Sequence, residues 1–302
     1  MNEHTVAPGL VRGMSNDAYH QGPGVSKSKT DDIAPECGNS PRTYWAKHVN
    51  PDREPFTPTP QMVLGTAIHA AILEPDSFGS GYILAPEGLK KPTSSQLNAK
   101  KPSPDTIVQI AEWQQFQAEA AGKIILDAED WESVLGARDA VLTHPTVRGL
   151  FQHGEAETSY FGIDPETGEL VKCRPDFDRI EFDGMIVDVK STEDASPEGF
   201  GGSATKFRYD VQDPWYRDVI DLALGARAVV RSFGFVAVER KPPFQVGLYY
   251  STPEQLLRGR AMGRRDLRRI VECREANHWP DFAANDGPQP LRIRPYARRE
   301  AA

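Results

Sequence analysis

Apolar residues recur at helical spacing in the first half of this chain and at strand spacing in the second. Residues 61–73, QMVLGTAIHAAIL, are apolar on nearly every side, which predicts a largely buried helix. Glu74-Pro75 ends it, because a proline pushes the preceding residue out of the helical region. Upstream, SKTDDIA predicts a short helix capped by Ser26 or Ser28, and residues 41–48 (PRTYWAKH) a second one with proline in its first turn. Further helices are predicted at about 105–121 and 129–143. Residues 1–24 read as an irregular arm, 49–60 as a loop with four prolines, and 86–106 as a mobile loop rich in Lys, Pro and Ser.

The period then shortens. Residues 158–162, 169–174, 177–182 and 185–190 predict consecutive strands, with a turn at 164–168. A helix over 208–224, strands over 233–239 and 246–250, and a long Arg-rich helix over 253–277 follow. Helices, then a strand meander, then helix, strands and helix make an α/β (α+β) layout. A single domain over 1–282 is expected, with an N-terminal part at 1–60, a core at 61–282 and a flexible tail at 283–302.

Of the 302 residues, 39% are apolar and 26% charged, which excludes global disorder and fibrous repeats. The net charge of −8 argues against coating nucleic acid by bulk charge, while leaving room for a local basic groove. Cys37, Cys173 and Cys273 lie far apart, so neither a structural zinc nor a disulfide framework is expected, and a reducing cytoplasm is the natural setting. No stretch approaches the ~18 apolar residues of a membrane span. No N-terminal apolar segment marks a signal peptide. No GxxxxGK[ST] phosphate loop appears, so any work on nucleic acid is not expected to draw on ATP hydrolysis by this chain.

Candidate chemistry sits in CRPDFD, residues 173–178, and IVDVK, residues 186–190. Asp188 and Lys190 lie two apart on a strand and so share a face. Whether Asp176 joins them depends on the connection near Asp183-Gly184. A two-residue hairpin pairs 176 with 191 and turns Asp176 to the opposite face. A three-residue loop, 182–184, pairs 176 with 190 and brings all three together. Gly184 suits the left-handed position of a bulged turn, so an odd-numbered connection is predicted. Two carboxylates and an ammonium on one patch suit Mg²⁺, which takes hard oxygen ligands and keeps waters. A metal there would acidify a water and offset charge on a pentavalent phosphate, with Lys190 orienting that water. A solvated strand with one Asp–Lys ion pair is the plain alternative.

With Pro175-Asp176 upstream, the segment resembles the Pro-Asp…(Asp/Glu)-x-Lys signature of the PD-(D/E)XK nuclease superfamily. It is most similar to the RecE-type recombination nucleases (exonuclease VIII), whose catalytic domain is C-terminal in a longer protein. The resemblance runs from MSNDAYHQGPGVSKSKTDDIA through LGTAIHAAILEPDSF, GKIILDAEDWE, DPETGELVKCRPD and IVDVKST to YDVQDPWYRD. It implies a restriction-endonuclease-like core, a central mixed sheet flanked by helices. It implies that Asp176 and Asp188 hold metal and that Lys190 is the catalytic lysine. His69 corresponds to a helical histidine that binds metal; read alone, a histidine on an apolar helix is more often a core residue. Gln212 and Tyr216 match a Gln-xxx-Tyr motif, and their i, i+4 spacing sets them on one helix face, to hold the DNA backbone or position catalytic groups. Ser26 and Ser28 fall where related exonucleases contact the terminal 5′ phosphate, with plain helix capping as the alternative. Arg174 is a further candidate for binding DNA, and Glu157 for supporting the site from behind. An iron–sulfur subtype needs four cysteines, which this chain does not have.

The resemblance further implies a Mg²⁺-dependent exodeoxyribonuclease, with Mn²⁺ able to substitute. It would digest one strand of linear double-stranded DNA from the 5′ end and leave a 3′ overhang for a single-strand annealing protein. It implies a homo-oligomeric ring, a tetramer in family members, in the cytoplasm of a bacterial or phage-infected cell, with the helices of 1–60 at the DNA end. An endonuclease or single-strand nuclease on the same fold, or a silent DNA-end-binding accessory protein, are the alternatives. An acidic exterior around a basic groove would suit such a ring. It predicts a basic strip of Arg264 to Arg269 with Lys27 and Lys29, lining the path to Asp188; a solvated face or a subunit contact explains those arginines equally well.

Overall fold

The computed structural model describes residues 6–283. At its centre is the strand Met185–Thr192, where Ile186, Val187 and Val189 are fully buried. A strand covered on both faces needs such an apolar run rather than a strict alternation. It pairs in parallel with Ser232–Glu239, from Met185 opposite Ser232 to Thr192 opposite Glu239. On its other side it pairs antiparallel with Phe177–Arg179. Val246–Tyr249 and Glu155–Ala156 form the two edges, both antiparallel, giving a five-stranded mixed sheet.

Each face of the sheet carries its own core. Val187, Val189, Val236 and Val238 pack on the helices Pro60–Leu73 and Ala128–Thr143 through Ala67, Ile68, Val134 and Val141. Ile186, Phe233 and Phe235 belong to a second core with Trp215 and Ile220 of the helix Tyr209–Leu224 and Leu267 and Ile270 of the helix Pro253–Glu275. Burying each large side chain of this kind contributes about 1.5–3 kcal/mol. A three-stranded antiparallel sheet, Gly9–Val11, Ser159–Ile163 and Leu170–Cys173, adds Tyr160, Val171 and Cys173 to the second core.

The two helices of that second core approach unusually closely. Pro214 lies inside Tyr209–Leu224 and lacks the N–H that would bond the Asp210 carbonyl. Gly259 of the next helix sits against that carbonyl so tightly that a Cβ would stand 1.7 Å from it. A proline on one helix and a glycine on the other thus bring backbone against backbone.

Several sequence-based expectations are corrected. The arm is not irregular: Gly9–Val11 is a strand and Asn16–Gln21 a helix capped by Ser15. Elements this short carry no readable period, and the strand owes its existence to pairing with Ser159–Ile163. Within 86–106, Ser94–Leu97 is a helical turn. Flanking that segment, Tyr82–Leu84 and Ile124–Leu126 pair in parallel, a long-range partnership no local window shows. The helix Pro197–Lys206 was missed because its three glycines dilute the pattern. The strand expected over 177–182 stops at Arg179. Of the expected tail, residues 284–302 lie outside the described residues.

The hairpin connection is odd-numbered as expected, but it is five residues long, 180–184, not three, because Arg179 pairs with Met185. Asp178 accepts from the Ile180 N–H (2.8 Å) and Asp183 from the Met185 N–H (3.1 Å). These side-chain caps draw the chain into a helical turn, closed by Asp183 N–H donating to the Arg179 carbonyl at 3.0 Å. Gly184 then takes φ +76°, the left-handed conformation glycine adopts without strain.

Candidate active site

Extending the Phe177–Val187 pairing by one residue puts Asp176 opposite Asp188, not Lys190. The parity of the turn is as expected, so Asp188 and Lys190 share a face, while Asp176 lies one residue before the paired strand Phe177–Arg179 and reaches the Val189 backbone. Asp176 Oδ2 accepts from the Val189 N–H at 2.7 Å and lies 3.4 Å from His69 Nδ1. His69 arrives from Pro60–Leu73, the helix on the other face of the sheet. The Glu157 N–H donates to the Asp176 carbonyl at 3.1 Å. His69, Glu157 and Asp176 each offer one ligand atom within 4.8 Å of the others.

Asp188 is buried, 1% exposed, and lies outside that triplet. One of its oxygens accepts from Gln212 Nε2; the other forms an ion pair with Lys190 but no aligned hydrogen bond. A buried carboxylate oxygen without a hydrogen bond retains coordinating capacity. Lys190 Nζ lies 5.0 Å from the centre of the Tyr209 ring.

The electrostatics follow from burial. Burial raises Asp176 and Asp188 to about 6 each; the Asp176 charge adds to the effect at Asp188, and Lys190 opposes it at both. Burial, then the charge of Asp176, raises Glu157 to about 8. Burial lowers His69 to about 4, with Lys190 adding to the effect, so the imidazole is neutral at pH 7 with a lone pair to offer. Burial alone would lower Lys190, but Asp188 and Asp176 outweigh it and hold the ammonium form. At pH 7 two carboxylates, Asp176 and Asp188, and the largely protonated Glu157 thus face one ammonium and one neutral imidazole. A divalent cation taking oxygen and nitrogen donors fits this donor set, displacing the Glu157 proton as it binds.

Tyr216 lies one turn beyond Gln212, edge-on to Phe233 at 5.9 Å, and burial raises its phenol well above the ordinary value. Ser26 caps Lys27–Asp31 by accepting from the Lys29 N–H (3.4 Å), and its hydroxyl lies 3.0 Å from that of Ser28. Arg174 is buried, with Nε on Ser159 Oγ (2.8 Å) and Nη2 on the Met14 carbonyl (2.7 Å), so it does not present a free guanidinium to DNA.

Each cation of the expected basic strip meets an acid or a carbonyl. Arg264 pairs with Asp218 and Glu166, Arg265 with Glu36 and Asp266, Arg268 with Glu166 and Arg269 with Glu272. Lys27 pairs with Asp31, and Lys29 donates to the Gly24 carbonyl. These cations fasten the helix and the N-terminal segment to their neighbours, and sequence spacing gave no sign of the acids that meet them.

Sequence reasoning placed Glu157 behind the site, whereas the structure sets it among the atoms that can hold a metal. Its left-handed backbone, φ +54°, has no sequence signal in a non-glycine residue. Tyr209 was missed, although its position three residues before Gln212 puts both on one helix face.

Opposed aspartates on a hairpin, a D-x-K strand inside a mixed sheet and a histidine from a flanking helix define a PD-(D/E)XK-type nuclease fold. The sequence profile of the family described as "PDDEXK-like domain of unknown function (DUF3799)" matches residues 35–285, and the chain belongs to that family. The crystal structure of a "Putative exonuclease" from Eubacterium rectale is similar at 12% sequence identity and a TM-score of 0.58, over 93% of this chain and 94% of that one. That likeness shows the fold. No curated protein matches the chain. Among the described residues, no helix is long and apolar enough to cross a membrane.

Proposed function

We propose that this chain is a divalent-metal-dependent exodeoxyribonuclease that digests linear double-stranded DNA from the 5′ end and leaves a 3′ overhang. The observation that carries the reading is the convergence of His69, Asp176, Asp188 and Lys190 in one cluster, with His69 coming from the helix on the other face of the sheet. His69, Glu157, Asp176 and Asp188 would hold Mg²⁺ or Mn²⁺. When bound, the cation supplies Lewis-acid polarisation of the scissile phosphate and acidification of water.

The rest is done by the chain itself. The Val189 N–H fixes Asp176, and Gln212 fixes Asp188, so both carboxylates are oriented before substrate arrives. Lys190, kept charged by Asp188, donates to the attacking water or to a phosphate oxygen and stabilises the charge that develops there. Tyr209 packs beside Lys190 and restricts where its ammonium can go. Exo-action from a 5′ end, the Ser26 and Ser28 hydroxyls as donors to the terminal phosphate, a ring-shaped homo-oligomer and an annealing partner rest on the RecE-type resemblance.

The test uses linear duplexes labelled at either end, with and without 5′ phosphate, beside a closed circle, all with Mg²⁺. Loss of the 5′ label from linear DNA with the circle intact is the expected result. Cutting of the circle would make the protein an endonuclease, and no digestion of any substrate would overturn the nuclease reading.

A further inference from the structure

We propose that Arg174 is a positioning residue for Glu157, and that the N-terminal segment 14–22 locks it in place. The candidate metal site would then be completed by an element about 140 residues away in the chain. The inference rests on the reading that His69, Glu157 and Asp176 hold a divalent cation.

Arg174 follows the strand Leu170–Cys173 and is 6% exposed. Its donors are spent in three directions. Nε donates to Ser159 Oγ, Nη2 to the Met14 carbonyl, and Nη1 lies 3.7 Å from Glu157 Oε2. The Tyr19 ring closes a fourth side, 4.5 Å from the guanidinium carbon. Lys172 is 1% exposed, and its Nζ lies 4.7 Å from the same ring. That Nζ donates to the carbonyls of Tyr19 and Gly22. Tyr19 therefore contacts two buried cations, and those cations bind carbonyls along the whole segment. Among the described residues, Glu157 is the one acid paired with either of them.

Glu157 is fixed from two sides. Its backbone adopts a left-handed φ of +54° and bonds the Asp176 carbonyl, a conformation a non-glycine residue keeps only where its surroundings enforce it. Its carboxylate meets Arg174, whose remaining donors are already committed and so hold the guanidinium still. The ion pair is longer than a hydrogen bond, which leaves the carboxylate able to serve a cation. Partners behind a metal ligand act in this way, and their loss typically weakens metal binding about 10–100-fold.

The test measures Mn²⁺ binding by calorimetry on the full chain, with no DNA present. It compares the wild type with Arg174→Gln, Arg174→Lys, Glu157→Ala and the double variant Arg174→Gln/Glu157→Ala, each checked for folding by circular dichroism. Arg174→Gln is expected to weaken Mn²⁺ binding about 10–100-fold. Arg174→Lys keeps the charge but loses the fork, and it should fall between that variant and the wild type. In the Glu157→Ala background, Arg174→Gln should make no further difference, because the residue through which it acts is gone. A purely structural role would weaken binding equally in both backgrounds, and that result overturns the proposal. So does wild-type Mn²⁺ affinity in either folded Arg174 variant. If the wild type binds no Mn²⁺ at all, the metal-site reading fails, which is a separate outcome.

Discussion

Asp176, one residue before Phe177–Arg179, and Asp188, within Met185–Thr192, meet at one hairpin, and each is held by a different donor. The Val189 N–H holds Asp176 and the Gln212 amide holds Asp188. Two buried carboxylates so placed repel one another, and Lys190 is the one ammonium paired there among the described residues. The local consequences can be measured.

Protons and a divalent cation compete for these groups. Asp176 and Asp188 sit at about 6 and Glu157 at about 8, all raised chiefly by burial, while His69, lowered to about 4, is already neutral. A raised carboxyl pKa means that the free site holds its protons more tightly, so a metal must displace them. Mn²⁺ affinity should rise with pH, most steeply below about 6, where all three carboxyl groups hold protons, then more gently between about 6 and 8 as Glu157 alone still holds one, with release of protons on binding. Calorimetry in two buffers of different ionisation enthalpy measures both effects. An affinity that does not change over that range contradicts the assignment.

Gln212→Ala leaves Asp188 with Lys190 as its one partner. Turnover at saturating metal and DNA should fall about 10–100-fold, and the loss of a buried donor to a carboxylate should also cost about 1–3 kcal/mol, so turnover is compared where both proteins are folded. A wild-type rate in this variant would show that the Gln212–Asp188 bond does not matter for function.

Much of this site was legible in the sequence, and the limits are physical. The D-x-K strand and the parity of the turn depend on local periods, which a sequence displays, whereas His69, Gln212 and Tyr216 stand out only through the resemblance to the RecE-type nucleases. Asp188 rather than Lys190 as the residue facing Asp176 depends on how Asp178 and Asp183 cap a five-residue turn, and two loop lengths of the same parity look alike in sequence. The helix Pro197–Lys206 carried a readable start in Ser196-Pro197, whose serine accepts from the Gly199 N–H at 3.1 Å, but its glycines hid the rest. Glu157 and the paired arginines depend on contacts between distant segments, which leave no periodic trace.

Arg208 separates buried from exposed charge. It is 2% exposed, takes φ +51° and bridges Asp31 and Asp266. Arg208→Ala removes the shared partner of two carboxylates and should cost about 3–5 kcal/mol. Arg268→Ala breaks an exposed pair with Glu166 and should cost less than about 1 kcal/mol. Denaturant unfolding distinguishes the two.

Gly259→Ala would push a methyl group into the Asp210 carbonyl, 1.7 Å away. Separating the two helices should lower stability by at least about 1–3 kcal/mol. Thermal unfolding at neutral pH reads this, and an unchanged melting temperature would mean that the helices do not approach as described.

The most direct test of the account is Mg²⁺-dependent digestion of end-labelled linear duplex DNA by the wild type, Asp188→Ala and Lys190→Ala, with folding of each verified. The wild type should degrade the duplex. Each variant should lose about 10²-fold or more of that rate, the usual consequence of removing a preorganised charged group. Undiminished digestion by either folded variant would contradict the assignment of the active site.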